Sequence, residues 1–137
     1  MKPEDIAKAG TEHAHQAALF CWAYKKAVTS WPQLKWLYAI PNGGERNPAT
    51  AARLKAEGVK SGVSDVCLPS AQRGYHGLYI EMKKPGSEGK AAGKESPAQV
   101  EFGKFLADEH YMYRCCHDWM TAAQTIAWYM GVDDGTY

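Results

Sequence analysis

No stretch of the chain approaches the roughly 20 consecutive apolar residues that a membrane-spanning helix needs, so no membrane partner is expected. The opening residues Met1-Lys2-Pro3-Glu4-Asp5 lack the apolar run of a secretory signal, which makes a cytoplasmic location the expectation. Charge of one sign is missing as well. The net charge is only +1, so no overall basic excess announces a nucleic-acid partner. Cys21, Cys67, Cys115 and Cys116 contain no C-x-x-C pair, which removes the usual basis for a zinc or redox motif. In a reducing compartment they are read as thiols filling core positions. Cys115-Cys116-His117 is the one cluster that invites a metal, but neighbours on a strand point to opposite faces. Internal repeats are absent too, and 137 residues suit one domain spanning the whole chain, 1–137.

What is present is a globular composition, 45% hydrophobic and 23% charged, with a core to bury. Its charges are unevenly placed. From Glu45 to Lys94 nine basic residues face five acidic ones, a local charge of +4, while acidic residues gather at Asp108, Glu109, Asp118, Asp133 and Asp134. A basic middle suits an anionic substrate held centrally; an ordinary solvated face is the other reading.

Local signals predict eight elements. Thr11 caps a helix running to about Val28, with Ala14, Ala18, Cys21, Trp22 and Lys25 at helical spacing. Trp36 to Ile40 reads as a short buried strand stopped by Pro41-Asn42-Gly43-Gly44. Asn47, Pro48 and Gly58 punctuate a second helix near 48–57 as cap, first-turn residue and C-terminal left-handed residue. Val63 to Leu68 and Gly77 to Lys83 read as strands close enough to pair through Pro69 to His76. After a Gly- and Lys-containing loop over Lys84 to Glu95, Ser96-Pro97-Ala98-Gln99 has the capping-box pattern and opens a helix to about Glu109 that buries Phe102, Phe105 and Leu106. Tyr111 to Cys115 is a fourth strand. Asp118 to Met130 is a last helix with Trp119, Ala122, Ala123, Ile126 and Met130 on one face. The mixed alternation argues for an α/β fold with helices on both faces of a small central sheet.

Within that frame one strand carries chemistry. In Leu78-Tyr79-Ile80-Glu81-Met82-Lys83 the side chains alternate, so Glu81 and Lys83 share a face and Met82 points to the other. Asp65, flanked by apolar residues on the preceding strand, converges on Glu81 if the two strands pair. Two adjacent carboxylates are tolerable only with a proton or a cation between them. A hard divalent ion suits two carboxylates plus a backbone carbonyl, assigned to Met82, with places left for water and a phosphate oxygen. Such a site is hydrolytic. A lysine among carboxylates keeps its proton, so Lys83 is assigned transition-state stabilisation and water orientation first, and the part of general base second. The competing reading is a surface salt-bridge strand.

Four stretches in order, Ile40-Pro41-Asn42-Gly43-Gly44, the run from Ala52 to Asp65, Gly77 to Lys83, and Ser96-Pro97-Ala98-Gln99, resemble the PD-(D/E)xK nuclease superfamily and more narrowly its VRR-NUC family of virus-type replication-repair nucleases. The resemblance extends from about Glu12 to Met130. It implies a PD-(D/E)xK nuclease-like core, with Asp65 and Glu81 as metal ligands, Lys83 as the catalytic lysine, Glu12 as a further acidic ligand and Gln99 as a supporting active-site residue. The family pattern has proline before the aspartate, where this chain has Ser64. Glu12 and Gln99 keep ordinary alternatives, the first favouring its helix dipole and the second closing its capping box.

Arg46, Arg53, Lys60, Lys84, Lys90 and Lys94 are the candidates for phosphate contacts, which position a nucleic acid without reading its sequence. No base-reading element is visible, and the Lys84 to Glu95 loop is expected to order over substrate. Standalone members of the family resemble structure-specific nucleases that act as homodimers on branched DNA such as four-way junctions. The expectation is therefore a Mg²⁺- or Mn²⁺-dependent DNA endonuclease for branched or flapped DNA in replication, repair or recombination. A non-catalytic DNA-binding module with a nuclease fold, or a nuclease subunit that needs a partner, is the alternative.

Overall fold

Alternation along one strand decides the layering. Leu78, Ile80 and Met82 are completely buried in the main core, while Tyr79 and Glu81 face the opposite side of the sheet. The computed structural model describes residues 1–41 and 47–137. Candidate Arg46 and the turn residues Asn42, Gly43 and Gly44 lie outside the described residues.

The elements follow in order: α1 (Pro3–Ala7), α2 (Glu12–Thr29), a 3-10 turn (Pro32–Trp36), β1 (Tyr38–Ala39), α3 (Pro48–Ala56), β2 (Val66–Leu68), β3 (Leu78–Met82), α4 (Pro97–Asp108), β4 (Met112–Cys116) and α5 (Trp119–Tyr129). The sheet runs β1-β2-β3-β4, antiparallel between the first three strands and parallel between β3 and β4. A parallel pair needs a crossover, and α4 supplies it. On one face α2 and α5 bury Ala18, Leu19 and Trp22 with Trp119, Ala122 and Ile126 against Leu78, Ile80 and Met82. Each large apolar side chain so buried contributes about 1.5–3 kcal/mol. On the other face α4 sets Phe102 edge-on against Tyr79 and lays Gly103 on Tyr113. A Cβ at Gly103 would stand 2.7 Å from the Tyr113 ring, so this close approach needs glycine. The chain is thus an α/β sandwich with helices on both faces of a mixed sheet.

The punctuation signals act as their chemistry dictates. Thr11, Asn47, Ser96 and Asp118 each accept a backbone N–H from the first turn of the helix they cap. Gly58, just past α3, has φ +100, the left-handed conformation that favours glycine.

Three expectations need correction. The segment 36–40 is not a buried strand: Trp36 is 66% exposed in the 3-10 turn, and β1 is a two-residue edge strand whose Tyr38 is 46% exposed. β1 pairs only with β2, and its aromatic content signals a strand without saying which side is covered. Phe105 is 57% exposed rather than buried, because α4 turns Gly103 and Leu106 inward. Strand β2 begins at Val66, so Asp65 sits just before it. The segment 84–95 is a loop, as read, and it folds back on itself as a hairpin turn: Ser87 and Lys90 exchange backbone hydrogen bonds (3.1 and 2.9 Å) and Gly93 N–H donates to the Lys84 carbonyl (3.1 Å). Sequence reading also missed α1 and the 3-10 turn, both short and led by proline.

All four cysteines are free thiols. Cys67 and Cys116 are buried, whereas Cys21 and Cys115 are half-buried and only partly fill core positions. Among the described residues no helix is long and apolar enough to cross a membrane.

Candidate metal and catalytic site

Register brings the central pair together. Val66 pairs with Ile80, so one step back along β2 sets Asp65 opposite Glu81. Asp65 Oδ2 accepts the Met82 N–H (2.7 Å), and the Asp65 carbonyl accepts the Ile40 N–H (2.7 Å). The side chain of Asp65 therefore continues the ladder where the strand backbone has left it. Gly62 makes this path possible: at φ +86, a Cβ there would lie 2.6 Å from the Ala98 carbonyl group. The segment carrying Asp65 is pressed against the start of α4, where Gln99 sits.

Glu81 is 1% exposed, the one buried carboxylate among the described residues. Its Oε1 accepts a hydrogen bond from Gln99 Nε2 (2.8 Å) and lies 3.8 Å from Lys83 Nζ. Its Oε2 is buried and has no hydrogen-bond partner among the described residues. Burial, first, and the neighbouring Asp65 carboxylate, second, push the Glu81 carboxyl up to about 9, with Lys83 pulling it down. A hydrogen bond between Glu81 and Asp65 requires a proton on one of them. Without that proton, only a cation relieves the pair.

Gln99 closes its helix cap and also reaches Glu81. Its Oε1 accepts the Ser96 N–H (2.7 Å) and completes the capping box, which leaves its Nε2 to donate to Glu81. Lys83 extends from the end of β3 on the same face as Glu81, with its side chain only 15% exposed.

Glu12 stands in the first turn of α2. Burial raises its carboxyl first and Asp65 second, while Lys83 and His13 lower it, so it is within electrostatic reach of the central residues. Among the described residues no three His, Cys, Asp or Glu side chains form a ready cage for an ion. The donors on offer are two carboxylates and one carbonyl. Lys83 N–H bonds to the Cys116 carbonyl on β4 (2.9 Å), while Met82 N–H turns towards Asp65; a strand residue's N–H and C=O share a side, so the Met82 carbonyl faces the same way as its N–H. The orphaned Glu81 oxygen, Asp65 and that carbonyl form an all-oxygen set of the kind a hard dication takes.

Of the phosphate-contact candidates, Arg53, Lys60, Lys84, Lys90 and Lys94 are all exposed. Arg53 is engaged by Glu57 one helical turn on (3.2 Å). Cys115 lies beside Glu81 in the β3/β4 register, and burial first and Glu95 second push its thiol up to about 12. Cys116 points into the core on the opposite face, which dissolves the Cys115-Cys116-His117 cluster as a metal centre. A cavity of about 410 Å³ lined by Arg114, Gln124, Trp128 and Asp133 includes none of Glu12, Asp65, Glu81, Lys83 and Gln99 in its lining.

Two supports were not visible in the sequence. His15 Nδ1 accepts the Trp119 N–H (3.0 Å), tying the start of α2, which carries Glu12, to the start of α5. Tyr113 donates its hydroxyl hydrogen to the Glu95 carboxylate, anchoring the chain just ahead of the Ser96 cap. Neither contact has a spacing signature, since the partners lie 104 and 18 residues apart.

No family model and no curated protein matches the chain. A solved structure described as a "VRR_NUC domain protein" is similar to it, with 28% identity, a TM-score of 0.73, and coverage of 90% of this chain and 91% of that one. Nearly the whole of each chain takes part in the likeness. The chain has the fold of the VRR-NUC family, a family of nuclease domains.

Proposed function

We propose that the chain is a Mg²⁺- or Mn²⁺-dependent DNA endonuclease that hydrolyses phosphodiester bonds, directed at branched DNA such as four-way junctions or flaps and working as a homodimer in replication, repair or recombination. The observation that carries the catalytic part of this reading is the buried Glu81, with one oxygen held by Gln99, the other without a partner, and Asp65 and Lys83 beside it. A carboxylate is rarely desolvated next to another without a charge to bind. Asp65, Glu81 and the Met82 carbonyl would hold the ion, with Glu12 as a further acidic contributor. When bound, the ion supplies phosphate polarisation and a more acidic water.

The chain's own residues supply the rest. Gln99 holds one Glu81 oxygen in place and leaves the other, buried and without a hydrogen-bond partner among the described residues, to face an ion. Lys83 is a positioned positive charge, placed to orient the attacking water and to stabilise negative charge on the phosphoryl oxygens. Arg53, Lys60, Lys84, Lys90 and Lys94 are exposed cations for phosphate contacts, which set the register of the DNA without reading its bases. The preference for branched DNA rests on the likeness to the VRR-NUC family, and a twofold dimer suits it by offering two sites for two cuts.

The test is a panel of labelled four-way junction, flap, duplex and single-stranded DNA with Mn²⁺, run with wild type beside Lys83→Ala. Cleavage by wild type and its loss in the variant are expected. Folded wild type that cuts no substrate, or a Lys83→Ala variant that cuts equally well, overturns the proposal.

A further inference from the structure

Lys83 needs something to hold it, because a lysine carries a flexible four-carbon stem and its charge does useful work only when placed. The hairpin that follows it supplies a wall. A Cβ at Gly93 would stand 3.4 Å from Lys83 Cβ and 3.5 Å from Lys83 Cδ, ordinary contact distances, so the Gly93 backbone runs alongside the Lys83 stem about a methyl group away. Gly93 is fixed from two sides: its N–H donates to the Lys84 carbonyl (3.1 Å), and its carbonyl is bonded to His117 Nε2 (2.8 Å). A carbonyl oxygen only accepts, so His117 donates through an Nε2–H. Two residues on, Glu95 is held by Tyr113. The Gly93 to Glu95 strap is thus gripped by His117 and Tyr113 and covers Lys83, whose side chain is only 15% exposed.

We infer that His117 is a positioning residue for the nuclease reaction: by holding the Gly93 carbonyl it clamps the hairpin against the Lys83 stem and keeps the lysine charge at Glu81. The inference rests on the proposed nuclease reading for its catalytic consequence. His117 hydrogen-bonds to Gly93 and to neither Glu81 nor Asp65, so it acts through the strap. Its loss should slow the chemical step without weakening DNA or metal binding.

The test compares wild type, His117→Ala and His117→Gln, the last retaining an N–H donor for the carbonyl. Single-turnover cleavage of a labelled four-way junction with Mn²⁺ is expected to slow by roughly tenfold or more in His117→Ala, the scale of a displaced catalytic group. KM for the junction and calorimetric Mn²⁺ affinity should stay unchanged, and His117→Gln should recover most of the rate. Hydrogen exchange at the Gly93 amide, which needs no activity, should quicken in His117→Ala and return in His117→Gln. A folded His117→Ala with wild-type cleavage overturns the inference. If His117→Ala does not fold, His117→Phe, which keeps a ring but removes the N–H that holds the Gly93 carbonyl, takes its place with the same expected rate loss and the same overturning result. Should wild type cut nothing, the nuclease reading falls, and the clamp is then judged by exchange at Gly93: unaltered exchange overturns it.

Discussion

Gln99 Nε2 donates to Glu81 Oε1 at 2.8 Å while Gln99 Oε1 accepts the Ser96 N–H at 2.7 Å, so one amide closes a helix cap and steadies a buried carboxylate. The two bonds depend on each other. The cap claims the amide oxygen, and only the NH₂ end is left to face Glu81.

That division of labour separates two substitutions. Gln99→Glu keeps an acceptor for the Ser96 N–H but sets a further carboxylate against Glu81, so the cap should survive while junction cleavage falls by roughly tenfold or more. Gln99→Ala loses both bonds and should also cost about 1 kcal/mol of stability. Urea denaturation beside cleavage assays reads both effects, and equal stability losses in the two variants would contradict the split.

Glu81 should make metal-free stability fall as pH rises. Its carboxyl is raised to about 9 in the folded chain, so between the ordinary carboxylate range and pH 9 the unfolded chain has released a proton that the folded chain keeps. The folded state binds more protons there, which makes the slope of stability against pH negative for this group. Glu81→Gln should flatten that slope and raise the metal-free Tm at pH 8. A thermal series from pH 5 to pH 8 in the presence of a chelator measures it; a Tm at pH 8 lower in the variant than in wild type would count against the reading.

Mn²⁺ should reverse the same penalty, because a cation replaces the proton between the carboxylates. The rise in Tm on adding Mn²⁺ is expected to be larger at pH 8 than at pH 5 and to disappear in Glu81→Gln. A thermal shift independent of pH and retained in the variant would place the ion elsewhere.

Asp65 has a structural duty beside its charge. Asp65→Asn preserves an acceptor for the Met82 N–H and should keep the fold while losing Mn²⁺ binding, whereas Asp65→Ala strands that N–H and should destabilise the chain by about 1–3 kcal/mol as well. Chemical denaturation and calorimetric titration distinguish them.

Ser64, where the family pattern has proline, is completely buried, and its hydroxyl has no partner among the described residues. Ser64→Ala removes that hydroxyl without changing the backbone and should raise stability by about 1 kcal/mol. A lower denaturation midpoint in the variant would show that the hydroxyl is bonded in solution.

Much of this was legible along the chain because the signals are local. The Asn47-Pro48 and Ser96-Pro97 starts are caps whose partners lie three residues away, and both act as read. The E-x-K of Glu81 and Lys83 needs only strand alternation to share a face. Burial beyond such periodicity was less legible: Phe105 and Tyr38 are apolar or aromatic residues whose exposure depends on how far α4 and the sheet extend over them.

Sequence alone determined the order of the longer helices and of β2 to β4, the helix caps, the pairing of the strands beside Asp65 and Glu81, and the shared face of Glu81 and Lys83, since each follows from residue type at short spacing. Only the tertiary structure decided the rest. It joined Gln99 to Glu81 across 18 residues, left Glu81 Oε2 without a partner, turned the Met82 N–H to Asp65, and folded the hairpin back so that Gly93 meets Lys83 and His117. The reason is physical: a side chain's chemistry is written in its type, but its charge, desolvation and partners are set by whatever distant segments pack beside it.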